Sequence, residues 1–176
     1  MNIGVLGADG SGKTTLIYSL SKHLSKNKVP VKSYNFDVSV KHLPYPVDFD
    51  VRKKVKKKEL EDGYSKLFFE KTKDVVFYDL GGGIDFFLQN KNLLKKFNLL
   101  LYVCEDYGEK TLDALQDLLV KAFNTPVFVV VNKIDLKKSF STSVFESVPV
   151  RKRKIARVSA WEKTGLHALA KQLDVV

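Results

Sequence analysis

The segment GADGSGKT, Gly7 to Thr14, brings three glycines, a lysine and a threonine into eight positions. Gly7, Gly10 and Gly12 let the backbone turn so that its amides point inward, and a helix beginning near Lys13 adds a partial positive charge at its first turn. The result is a cradle for phosphates. An ammonium at Lys13 reaches the β and γ phosphates, and the Thr14 hydroxyl ligates a magnesium ion. A cradle alone leaves ATPases, GTPases and kinases open, so the base must be read elsewhere.

NKID, Asn132 to Asp135, follows the apolar run VFVVV. A carboxylate at Asp135 accepts from both the ring N–H and the exocyclic amine of guanine, a pattern that adenine does not offer, and ATP would leave that charge unpaired. Asn132 is expected to touch the base or brace the phosphate loop, and the Lys133 stem to lie over the purine. In VSAWEKTG, Ser159, Ala160 and Trp161 stand at a strand end, where the Ala160 amide would meet the guanine carbonyl oxygen. DLGGG, Asp79 to Gly83, follows another buried run. Asp79 is placed to hold magnesium through a water, and the Gly82 amide to bond the γ phosphate, in a glycine run able to order around that phosphate. The phosphate-binding set is thus Asp9, Gly10, Ser11, Gly12, Lys13, Thr14, Thr15 and Gly82. The guanine set is Asn132, Lys133, Asp135, Ser159, Ala160 and Trp161, and the metal set is Thr14 and Asp79.

These residues need elements to hold them. NIGVLG reads as a buried strand; Leu16, Leu20 and Leu24 then repeat at helical spacing. VKSYNFDVSV alternates as a strand with Tyr34, Phe36, Val38 and Val40 on one side. The pattern is lost from Lys41 to Asp62, through Pro44, Pro46 and RKKVKKKELEDG, which reads as a loop or short helix. SKLFFEKTKDVVFYDL reads as an antiparallel hairpin with a deeply buried second strand. NLLLYV, VFVVV and KIARVS are further strands, Leu112, Leu115, Leu119 and Ala122 mark a helix, and Leu166, Leu169 and Leu173 mark a last one. The expectation is a three-layer α/β P-loop NTPase fold: a mostly parallel sheet with one antiparallel hairpin strand and helices on both faces. With 176 residues, 44% of them hydrophobic, one domain over 1–176 is expected, with an extended basic region at about 25–62.

GADGSGKT, DLGG, NKID and SAW, in this order, resemble the small Ras-like GTPases of the translation-factor-related class. Asp9 and DLGG are most similar to the Arf branch, whereas the stretch from EDYGEK to NKIDL resembles elongation-factor-type GTPases. The resemblance implies a switch that binds GTP and GDP with magnesium. Two departures stand against it. The family's water-orienting glutamine is Gly83 here, so hydrolysis is expected to be slow, at or below the roughly 10⁻⁴ per second of an unassisted Ras-type enzyme. Gln89 is the nearest glutamine, with nothing to place it at the phosphate, and no catalytic side chain is assigned. No threonine occurs between Thr15 and Thr72, so the family's first-switch magnesium ligand is missing.

A net charge of +10 and a pI near 9.5 favour an anionic partner. Arg52, Lys53, Lys54, Lys56, Lys57 and Lys58 form one run, and Arg151, Lys152, Arg153, Lys154 and Arg157 a second cluster, either able to meet RNA or an acidic membrane surface. Aromatics are not interleaved with them, so base stacking is not indicated. His23, His42 and His167 are scattered and Cys104 is the lone cysteine, which argues against a protein metal cage and excludes an internal disulfide. There is no 18-residue apolar run, no leader pattern and no acylation or prenylation signal, so a cytoplasmic protein without a lipid anchor is expected. Two other readings compete: a module in which GTP or GDP is a structural ligand without switching, and a nucleotide kinase, since GADGSGKTT followed by VKSYNFD resembles thymidylate-kinase-like enzymes. NKID has no role in kinase chemistry.

Overall fold

The computed structural model describes residues 1–37, 40, 42–53, 72–81, 84–105, 108–122, 124–136, 145, 148 and 154–175. Among these residues seven strands form one sheet: β1 (Asn2–Leu6), β2 (Val31–Asn35), β3 (Phe49–Asp50), β4 (Val75–Asp79), β5 (Leu99–Cys104), β6 (Val127–Val131) and β7 (Ile155–Arg157). Their order is β3-β2-β4-β1-β5-β6-β7. Among the described residues five α-helices accompany them: α1 (Lys13–Lys26), α2 (Ile84–Gln89), α3 (Lys91–Leu94), α4 (Glu109–Ala122) and α5 (Leu166–Gln172).

All pairings between these seven strands are parallel. Because helices cover both faces, β4 and β5 are buried along their whole length and carry continuous apolar runs. Side chains alternate between two cores. Ile3, Val5, Val75 and Phe77 join Leu16, Leu20 and Leu24 of α1 and Leu166 and Leu169 of α5. Val76, Tyr78, Leu100 and Tyr102 face Phe87 and Leu88 of α2, Leu93 and Leu94 of α3, and Leu115, Leu118 and Ala122 of α4. The three-layer expectation holds.

Several details differ from the sequence reading, the short helices α2 and α3 among them. The antiparallel hairpin does not form on β4, because β1 takes one of its edges and β2 the other, both in parallel; residues 65–69, the other half of that hairpin, lie outside the described residues. The strand read over 31–40 ends at Asn35, where the Asn35 side-chain oxygen accepts from the Asp37 amide at 3.1 Å and turns the chain out of the ladder. Within the patternless stretch 41–62, Phe49–Asp50 adds a two-residue parallel edge strand beside Tyr34–Asn35. In α4 the buried stripe is Leu115, Leu118 and Ala122, with Leu112 and Leu119 at its margins.

Candidate nucleotide site

The C-terminal ends of β1, β2, β4 and β6 converge on one edge of the sheet, the place where open parallel sheets bind ligands. Gly7 to Gly12 leave β1 and enter α1, with Gly7, Gly10 and Gly12 at φ of 147°, 77° and 88°. A Cβ on Gly7 would overlap the Val103 carbonyl, and one on Gly12 would overlap Nδ2 of Asn132, whereas Gly10 faces open space. The first turn of α1 carries neither a side-chain cap nor an acidic residue, so no side chain of the helix itself offsets its positive end. Lys13 folds over this loop and donates to the Gly7 and Ala8 carbonyls at 2.9 and 3.0 Å. The Ser11 hydroxyl is buried with no hydrogen-bond partner. Asp9 and Gly10 are exposed at the loop tip.

Asp79 ends β4 and is 1% exposed. Its Oδ2 accepts from the Thr14 hydroxyl at 2.6 Å, while Oδ1 is buried without a partner. Burial pushes its carboxyl up to about 6, against the opposing effects of the Thr14 hydrogen bond and the Lys13 charge, and the charge of Asp37 adds to the rise. Asp37 itself is buried just beyond β2, and a Cβ on Gly81 would overlap its carboxyl group. Tyr45 stacks on Tyr18 of α1 with ring centroids 5.4 Å apart. Burial, then the charge of Asp79, holds its phenol far above the ordinary range. Asp37 and Tyr45 were missed in the sequence. The signal for Asp37 was its place at the end of a strand that pairs with the Asp79 strand, Asn35 opposite Asp79; Tyr45 lies among prolines with no periodic signal.

On the other side, Asn132 leaves β6 and joins three segments. Its amide donates to the Cys104 carbonyl at 2.8 Å, its Nδ2 to the Ser11 carbonyl at 3.1 Å, and its Oδ1 accepts from the Ala160 amide at 3.0 Å. Asn132 thus bonds the phosphate loop to the Ala160 loop, and the Ala160 amide, expected to meet a base, is bonded to Asn132. The Ala160 carbonyl accepts from Ser19 at 2.7 Å, and Ser159 is buried, its hydroxyl accepting from the Glu162 amide. Lys133 takes φ 60° and pairs with Glu105. Asp135 stands exposed in a short 3₁₀ turn, Ile134–Leu136.

An open cleft of about 480 Å³ joins these groups. Gly12 and Thr15 border its phosphate-loop end, Asn132, Lys133 and Asp135 one wall, and Ala160 and Trp161 another. Trp161 and Leu136, two of the most exposed large apolar side chains among the described residues, both border it. Gly82 and Gly83 lie outside the described residues, as do Lys54, Lys56, Lys57, Lys58, Arg151, Lys152 and Arg153. Arg52 is already engaged, with Asp50 at 2.6 Å and the Val40 carbonyl, and it holds the Asp50 carboxyl down at about 2. Lys53 is exposed.

Fold and phosphate loop together define an α/β protein with a P-loop between β1 and α1. Residues 5–81, less than half of the chain, match the family described as conserved hypothetical ATP binding protein. GPN-loop GTPase 1 of Dictyostelium discoideum is 47% identical over 60 residues, 34% of this chain and 15% of that protein. Its Schizosaccharomyces pombe counterpart is 44% identical over 62 residues, 35% of this chain and 17% of that protein, so these matches span about one-sixth of the length of the curated relatives. A GTPase in apo form from Pyrococcus abyssi superposes with a TM-score of 0.73 over 99% of this chain and 97% of that one, at 21% identity, and shares the fold. No described helix is long and apolar enough to cross a membrane.

Proposed function

We propose that the chain is a guanine-nucleotide-binding domain that hydrolyses GTP slowly or with a partner's help. The observation that carries this reading is the single cleft that runs from Gly12 and Thr15 of the phosphate loop to Asp135 of NKID. Asp135 is the group that separates guanine from adenine, because one carboxylate matches two adjacent guanine donors and no adenine edge presents them. The similarity to proteins named GPN-loop GTPases supports guanine over the ATP of the family description. It also favours a place beside those proteins over the Arf-like, translation-factor-related branch.

Magnesium fits the residues present: the partnerless buried Oδ1 of Asp79, the Thr14 hydroxyl and the nearby Asp37 carboxyl are hard oxygen donors. Bound there, the ion would neutralise phosphate charge. Lys13 would leave the Gly7 and Ala8 carbonyls for the phosphates, Asn132 would keep the phosphate loop and the Ala160 loop in register, and Trp161 and Lys133 would flank the base. Gly83 offers no side chain to orient water, which is why hydrolysis is proposed to be slow. With Arg52 committed to Asp50, any anionic partner of the first basic run would be held by Lys53, Lys54, Lys56, Lys57 and Lys58.

Calorimetry of nucleotide-stripped protein with GDP, a nonhydrolysable GTP analogue and ATP, each with magnesium, tests the reading. Binding of both guanine nucleotides with ATP silent supports it. Binding of ATP alone would overturn it, and equal behaviour of the two guanine nucleotides would favour a module that does not switch.

A further inference from the structure

We propose that the groove between α1 and α5 is a second anion site, one that takes a phosphate dianion, free or as a small phosphomonoester. An open pocket of about 200 Å³ lies there, shaped on the α1 side by Tyr18, Ser19 and His23 and closed by Leu166. Three lysines border it, Lys22 and Lys26 from α1 and Lys163 from the turn into α5, and no acidic residue lines it. None of the three has an ion-pair partner among the described residues. The Nε2 of His23 is buried without a hydrogen-bond partner. Unpaired charges around one concavity raise the local potential, and a dianion relieves it.

Lysines on the face of a chain with net charge +10 are ordinarily solvated and independent. Here they are set on a rigid seam. Lys22 donates to the Tyr18 hydroxyl at 3.3 Å and its ammonium lies 5.4 Å from that ring's centroid. Lys163 sits at φ 61° in a turn closed by the paired backbone bonds of Ser159 and Thr164, both 3.1 Å. Ser19 ties the pocket floor to that turn through the Ala160 carbonyl. The site is separate from the nucleotide cleft: the two share no lining residue, and His23 stands roughly 15 Å along α1 from Lys13 at the helical rise per residue. The volume suits a tetrahedral oxyanion with a short substituent and is too small for a nucleoside triphosphate.

The test is an NMR titration of the full chain at low ionic strength with inorganic phosphate and, separately, glycerol 3-phosphate. The ring signals of His23 and His167 and the Lys163 amide are followed alongside those of Gly10 and Gly12. Saturating shifts are expected at His23 and Lys163, with affinity falling roughly tenfold or more in Lys22→Gln/Lys163→Gln and in Lys26→Gln/Lys163→Gln. Lys171→Gln and Lys13→Ala should leave these shifts unchanged. Tighter binding of glycerol 3-phosphate would identify a phosphomonoester as the natural source, and tighter binding of inorganic phosphate the free ion. Shifts confined to the phosphate loop, a linear drift spread over surface lysines, or an equal loss in Lys171→Gln would overturn the proposal.

Discussion

Asp79 is a carboxylate kept where charge is disfavoured. Its folded value of about 6 lies above the ordinary 3.8, so the folded chain holds a proton that the unfolded chain has released between those two pH values. Stability is therefore lowered as pH rises through that window, by an amount on the order of 2 to 3 kcal/mol once above it. Asp79→Asn keeps an oxygen for the Thr14 hydroxyl and removes the charge. In thermal melts of nucleotide-stripped protein it should be more stable than the parent at pH 8 and equal to it near pH 3.5, while magnesium-dependent nucleotide affinity falls; an unchanged pH profile would show that the buried carboxylate is not the cause. At the far end of the cleft, Asp135→Asn should weaken GDP binding by roughly 100-fold or more, because a site built for two donors then faces them with one acceptor, and should gain xanthosine diphosphate. Competition calorimetry with the two diphosphates reads both changes.

The phosphate loop shows how one element depends on another. Gly10 and Gly12 share a left-handed backbone, yet only Gly12 faces a neighbour, Nδ2 of Asn132. Gly10→Ala should cost only its backbone strain, about 1 to 2 kcal/mol. Gly12→Ala should cost more, because Asn132 cannot yield without releasing the Ser11 carbonyl. Chemical denaturation of both variants, with nucleotide absent, orders the two costs; equal losses would show that strain alone is felt. Asn132→Ala leaves the Ser11 carbonyl and the Ala160 amide without their partner at once, a loss of about 1 to 3 kcal/mol per buried group that water does not reach. Hydrogen exchange should then rise at Ala160 and in the phosphate loop together, although these segments belong to opposite ends of the chain.

For the whole molecule, the sole tryptophan is an internal reporter. Trp161 is 78% exposed at the rim of the cleft, so a purine seated against it should change its emission, and Trp161→Leu should abolish the signal while keeping most of the affinity. A signal with GDP and none with ATP would agree with the guanine reading; none with either would place the base elsewhere. The +10 charge belongs to this scale as well, since its effect on any phosphate-bearing ligand is screened beyond about 10 Å at 0.1 M salt. Salt should therefore weaken binding at the α1–α5 groove more than at the enclosed Lys13.

The amino-acid sequence by itself determined the order of the longer elements, β1, α1, β2, β4, β5, α4, β6, β7 and α5, and the two motifs that face each other across the cleft. These are local properties: the apolar period of Leu16, Leu20 and Leu24 needs only a helix, and three glycines around a turn need only their own backbone freedom. Only the tertiary structure decided which edges pair. Residues 65–69 read as a partner of Val75–Asp79, but β2 takes that edge, because covering both sheet faces with helices favours a parallel neighbour, a choice that no short window contains. The same pairing sets Asp37 beside Asp79, and folding across 65 and 121 residues joins Thr14 to Asp79 and Asn132 to Ser11. Those contacts arise from strand register, which is settled when distant apolar faces are buried together and is not written in the spacing of the residues that meet.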